Sequence, residues 1–262
     1  MTRPTARVRT ASALSLGALL TATACSALTT PPTAEKPDLS ATTASPAPSG
    51  KHASPAATPA LTAAQAQAVL LTETDLGEPW TPTQGSATWH DAVLKATTNL
   101  PDCQRLMDTA YSEELFGADA RPRAVVGLDD DWNETQLRQQ VVAHPAADVD
   151  RTLAWLKALP KKCARFTAKT TRGEAHAVEV TEAALPEAGD ARQGLRILVW
   201  GETADGEPAA FTLDVAAVRV GDDAIGLTHG GFGEVSPDIA RAVVQLGAQR
   251  LTEVRTKGRV EI

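Results

Sequence analysis

The chain predicts an α+β fold, a single domain with one antiparallel sheet and helices packed on it, preceded by a disordered stalk. Three observations predict it. Apolar residues recur at helical spacing between residues 146 and 159 and again after residue 236. Strand-like alternation and turn pairs fill most of residues 166–228, and composition breaks sharply near residue 60.

In chain order, residues 61–71 read as a short helix with Thr62 as N-cap and Leu61, Gln65 and Val69 on one face. Thr74-Asp75-Leu76-Gly77 makes a turn, and a weak strand is expected around Ser86–Trp89. A second helix starts near Pro101-Asp102-Cys103, carries Leu106 and Ala110 on one side and ends before Gly117. Val125–Leu128 and Leu137–Val142 read as paired strands around a polar hairpin loop, Asp129–Glu134. The clearest helix begins at Ala146 or Ala147, with Val149, Leu153, Leu156 and Leu159 in one stripe, and Pro160 is expected to stop it. Strands follow: Phe166, Ala168 and Thr170 alternate, as do His176, Val178 and Val180. Leu195–Trp200, Phe211–Val220 and Ala224–Thr228 come next, joined by turn signals at Asp205-Gly206 and Gly221-Asp222. Ser236-Pro237 then caps a closing helix whose buried stripe is Ile239, Val243 and Leu246.

The first 60 residues read as export and tethering. Arg3, Arg7 and Arg9 precede a short apolar run, Ala11–Leu20, and small residues lead to Cys25. That order is a secretory signal, and the run is too short to span roughly 30 Å of hydrocarbon as a helix. Small residues before Cys25 form a lipobox, although a leucine is usual where Ala22 stands. Residues 1–24 are therefore expected to be removed, and Cys25 to carry the lipid on the outer face of the cell membrane. Residues 26–60 hold little but Ala, Ser, Thr and Pro, which cannot bury enough apolar surface to offset ordering entropy. The folded domain is expected over 61–262.

The formal charge is −7; removal of the three signal arginines leaves −10. An acidic domain is repelled by nucleic acid and by anionic bilayers, so neither is an expected partner. With Cys25 lipidated, Cys103 and Cys163 remain to pair in an oxidising compartment. A metal site is the rival use of two cysteines, but neither has a nearby histidine partner.

Catalytic motifs are weak. His229-Gly230-Gly231-Phe232-Gly233 looks like an oxyanion segment of esterases, but the Gly-x-Ser-x-Gly elbow that must accompany it is absent. These glycines are expected to form a flexible connection before the Ser236 cap. Asp129, Asp130, Asp131 and Glu134 fail the EF-hand pattern, because Glu134 and Gln140 stand at its sixth and twelfth positions. The histidines show no metal-ligand spacing, and His176 is expected on the inner face of its strand. Trp155 and Trp200 are expected in the core, whereas Trp80, Trp89 and Trp132 lie in or near loops where a ring could line a ligand groove. No cofactor is expected, since the Walker loop, dinucleotide fingerprint and zinc-protease helix are all absent.

Pro101-Asp102-Cys103, Leu137–Val142, Ala154-Trp155-Leu156, Leu159–Phe166 and Val218–Asp222 together form a series. It resembles the actinobacterial lipoproteins whose domain is similar to the extracellular sensor domain of PknH-type serine/threonine kinases. The resemblance covers about residues 61–255. It implies a twisted antiparallel sheet flanked by helices, with a cleft that receives a ligand. The chain departs from the kinases in lacking a kinase domain and in offering one disulfide where the kinase sensor has two. The expected function is a lipid-anchored, non-enzymatic binding or sensor module for a small ligand or cell-wall component. A carrier of envelope lipid or hydrophobic metabolites is the alternative, and a hydrolase using His229 or a cleft carboxylate comes third.

Overall fold

A computed structural model describes residues 60–260 apart from 88, 121 and 203–206. The signal, Cys25 and the stalk lie outside the described residues. Nine strands pair antiparallel throughout, in the order β1-β3-β4-β9-β8-β7-β6-β5-β2. The strands are β1 (Thr81–Pro82), β2 (Ala96–Thr97), β3 (Pro122–Asp130), β4 (Thr135–Ala143), β5 (Arg165–Thr170), β6 (Ala175–Glu182), β7 (Ala191–Glu202), β8 (Pro208–Val220) and β9 (Asp223–Gly231). Helices are α1 (Ala63–Gln67), α2 (Glu73–Leu76), α3 (Pro101–Ser112), α4 (Ala146–Lys162) and α5 (Pro237–Val260). This is the α+β architecture expected from the alternation.

Strand alternation sends successive side chains to opposite faces and so builds two cores. Phe211, Leu213, Val215 and Ala217 of β8 face α3 and α4, joined by Leu195, Ile197 and Val199 of β7. Ala216 and Val218 face the other way, with Leu137, Val141, Ile225 and Leu227, under α1 and α5.

Several local expectations change. The first helix is shorter than 61–71: Thr62 and Gln65 close a capping box, but α1 ends at Gln67. Leu70 and Leu71 leave it for the core, where the Leu71 N–H donates to the buried Gln139 Oε1 at 2.8 Å. Pro160 does not stop α4, which continues through it to Lys162. A proline in the last turn removes one N–H from the ladder, and the Cys163 N–H still reaches the Leu159 carbonyl at 2.7 Å. Gly230 and Gly231 are strand rather than connection, because β9 continues to Gly231 between β4 and β8. In α5, Val243 is fully buried as expected, but Ile239 and Leu246 are partly exposed and Val244, Ala248 and Leu251 complete the stripe.

A further change concerns Ser86–Trp89, whose described residues are not strand. β1 and β2 sit at opposite edges of the sheet, so residues 83–95 must cross one end of it. Eight strand spacings amount to roughly 38 Å, and about fourteen residues reach at most ~50 Å. The crossing is therefore drawn out, with a single π-type turn at His90–Leu94 that buries Val93 and Leu94 against the α3–α4 core.

Cys103 at the start of α3 and Cys163 at the exit of α4 form a disulfide, with Cα atoms 5.6 Å apart. Lys162 and Asp102 pair alongside it at 2.9 Å. Both cores lie within one compact unit among the described residues. No helix among the described residues is long and apolar enough to cross a membrane.

Candidate ligand cleft

The crossing segment leaves two clefts against the sheet, and they share Phe232. The first is about 240 Å³. Its walls come from β6 (His176), β7 (Val199, Gly201), β8 (Ala209, Phe211), the π-type turn (Ala92, Val93) and Phe232 after β9. Arg172 and Glu174, in the turn between β5 and β6, stand at its polar end. An apolar interior with a few polar groups at one end is the composition of small-molecule sites.

Gly201 makes room for His176. A Cβ there would lie 2.5 Å from the imidazole Cδ2, so any other residue displaces the ring. His176 is 7 % exposed, its Nδ1 has no hydrogen-bond partner, and its Nε2 is 4.0 Å from the Glu174 carboxylate. Phe211 packs edge-on against Phe232 at 5.7 Å and against Trp89 at 4.7 Å. Phe232 is 44 % exposed, an aromatic ring left partly in water at the cleft mouth.

The second cleft is larger, about 550 Å³, and open, with Gln84, Ser86, Trp89, Asp129, Asp130, Asp131, Glu134 and Gln136 around it. Two of its acidic groups hold the loop itself. Asp129 accepts from the Thr83 hydroxyl at 2.7 Å and from Gln136 Nε2 at 2.8 Å. Asp130 accepts from the Trp132 and Asn133 N–H groups and from Asn133 Nδ2. They are loop staples. A third cavity, near Arg138 and Glu113, is about 20 Å³, room for one water.

The three loop tryptophans do not converge. Trp80 is buried on the α5 side against His229, with ring centroids 5.6 Å apart. Trp89 is buried on the other side against Phe211, and it lines the second cleft. Trp132 is 78 % exposed at the β3–β4 hairpin tip. Only Trp89 lies in the crossing segment, whose direction sets the face it meets; Trp80 precedes β1 and Trp132 sits between β3 and β4. Trp200, expected in the core, is 41 % exposed: its neighbour Val199 takes the inward face of β7 and alternation turns Trp200 out. Trp155 is half-buried, with the Arg105 guanidinium 4.1 Å over its ring.

His229 lies in a buried polar row on the α5 side with Asp130, Thr135 and Asp214. Its Nε2 is 3.4 Å from the Thr135 hydroxyl, and its Nδ1 has no partner. Asp214 is held by Arg196 through two bonds, of 2.7 and 2.6 Å. A relay would need that carboxylate on the imidazole Nδ1–H; here Arg196 takes it. The His229–Gly231 backbone is committed to the β4 and β8 ladders, so it is not an oxyanion pocket. Burial pushes the His229 pKa down to about 4; Arg196 adds to this, and Asp214 and Asp130 oppose it.

Sequence reading singled out His176 but missed Arg172, Val199, Phe211 and Phe232 as neighbours. The sequence marks Val199 and Phe211 only as strand residues, and the expectation of Trp200 in the core has the alternation of β7 the wrong way round. The signal that distinguishes a cleft wall from core is where the covering helix ends, and that is a tertiary quantity.

No family model matches the chain, and no curated protein matches it. Among solved structures, it is similar to the extracellular domain of PknH from Mycobacterium tuberculosis. The identity is 17 % over 76 % of this chain and 99 % of that one, with a TM-score of 0.44. Protein Ms6760 from Mycobacterium smegmatis is similar at 12 % identity over 48 % of this chain and 91 % of that one, TM-score 0.26. At these values the function has to be read from the chain's own residues.

Proposed function

We propose that residues 61–262 are a non-catalytic ligand-binding or sensor module, held on the outer face of the cell membrane by a lipidated Cys25. A small ligand or cell-wall component enters the cleft beside His176. The observation that carries this reading is the cleft itself: Val93, Val199, Phe211 and Phe232 around about 240 Å³, with Arg172, Glu174 and His176 at one end. The export signal, the stalk and the resemblance of the folded part to kinase sensor domains support the location.

Size favours a small molecule over the lipid-carrier alternative. The cleft, about 240 Å³, is smaller than the space a two-chain lipid fills. The hydrolase alternative loses one of its two nominated groups, since His229 is 1 % exposed beneath Trp80, and rests on a cleft carboxylate.

Native mass spectrometry of the protein exported from an actinobacterial host, with organic extraction of what co-purifies, tests the reading. A stoichiometric small molecule is the expected outcome. A stoichiometric membrane lipid would replace the sensor reading with the carrier, and turnover of an envelope substrate would replace both.

A further inference from the structure

Arg172 stands at the rim of the apolar cleft with no acidic partner among the described residues, while the other polar groups there are a half-exposed carboxylate, Glu174, and the buried His176. We infer that the cleft takes a small aromatic monocarboxylate, its ring between Val199, Phe211 and Phe232 and its carboxylate on Arg172. This rests on the binding-module reading and names the ligand class for the same site.

Each part of the ligand answers something unmatched in the protein. The ring of Phe232 is left partly in water, and a flat apolar body laid against it and Phe211 would cover that surface. The guanidinium of Arg172 presents a planar fork that a carboxylate matches with two parallel bonds. The Nδ1 of His176 is buried without a hydrogen-bond partner, and the Glu174 carboxylate lies 4.0 Å from its Nε2, too far for a hydrogen bond. At about 240 Å³ the cleft is of a size for one ring and its acid group.

Benzoate and benzyl alcohol, alike in shape and different in charge, separate the ligand class from the cleft reading. Each is titrated into the exported protein, whose described residues hold both cores and the disulfide. Binding is followed at the methyl signals of Val93 and Val199. Benzoate is expected to shift both and to bind roughly tenfold or more tightly than the alcohol, as charge-assisted pairing implies. Arg172→Gln, in an exposed turn, should bring benzoate down to the alcohol's affinity and leave the alcohol unchanged. Equal binding of the two, or a preference that survives Arg172→Gln, overturns the carboxylate assignment and leaves the cleft as a binding site. Silence of both methyl groups toward both probes overturns the cleft reading and the assignment with it.

Discussion

His229 shows how much one buried side chain can weigh on stability. Enclosed by Trp80 and the β4, β8 and β9 strands, it is held neutral, with a pKa of about 4 against an ordinary value near 6.5. Because the folded value is the lower one, the unfolded chain takes up the proton first as pH falls. The stabilising contribution is complete above about pH 6.5, is lost between there and about pH 4, and changes no further below. Two and a half pH units bound the effect at about 3 kcal/mol. In His229→Gln, urea unfolding measured from pH 7 to 4 should show a decline smaller by up to that amount. Parallel declines in the two proteins would mean that His229 is not buried neutral.

At the scale of elements, α3 and α4 are the pair most directly tied together. Their contact combines Leu106, Met107 and Ala110 with Leu153, Leu156 and Leu159, and the Cys103–Cys163 bond closes it at the helix ends. Cross-linking residues separated by 60 positions constrains the unfolded chain by about 4 kcal/mol in the chain-entropy treatment. Replacing both cysteines by serine should lower the unfolding free energy by roughly that amount, read from denaturant titration of the oxidised and variant proteins. An unchanged midpoint would show that the bond adds nothing to helix packing. A second tie fixes α5: Arg250 reaches the Leu70 carbonyl at 2.8 Å and the Asp75 carboxylate at 2.6 and 3.0 Å. That pairing, with the Thr72 cap, holds the Asp75 carboxyl below its usual range and locks the short α2 onto the long final helix.

On the scale of the whole molecule, the proposed anchor and the folded domain have separate jobs. Cys25→Ser should release the exported protein from the membrane fraction to the medium, as membrane fractionation would show, while leaving far-ultraviolet circular dichroism of the domain unchanged. Retention of the serine variant in membranes would dismiss lipidation as the tether. Across the folded part, much was legible in the sequence. The hairpin of Val125–Leu128 with Leu137–Val142, the alternating strands from Phe166 onward, the α4 stripe and the Ser236-Pro237 start of α5 are all local patterns, written at spacings of two or about 3.6 residues. The pairing of Cys103 with Cys163 was legible too, because cysteine number and compartment left those two together. The path of residues 83–95 was not legible, since nothing local says that β1 and β2 belong to opposite edges of one sheet. That path decides which side Trp89 faces, and strand order places His229 beneath Trp80 and gives Asp214 to Arg196. The cleft, likewise, exists where β6, β7 and β8 meet the crossing segment and Phe232. Local periodicity determined which residues turn inward; whether an inward residue meets a helix, another ring or open space depends on contacts between segments as far as 180 residues apart, as Leu70 and Arg250 are.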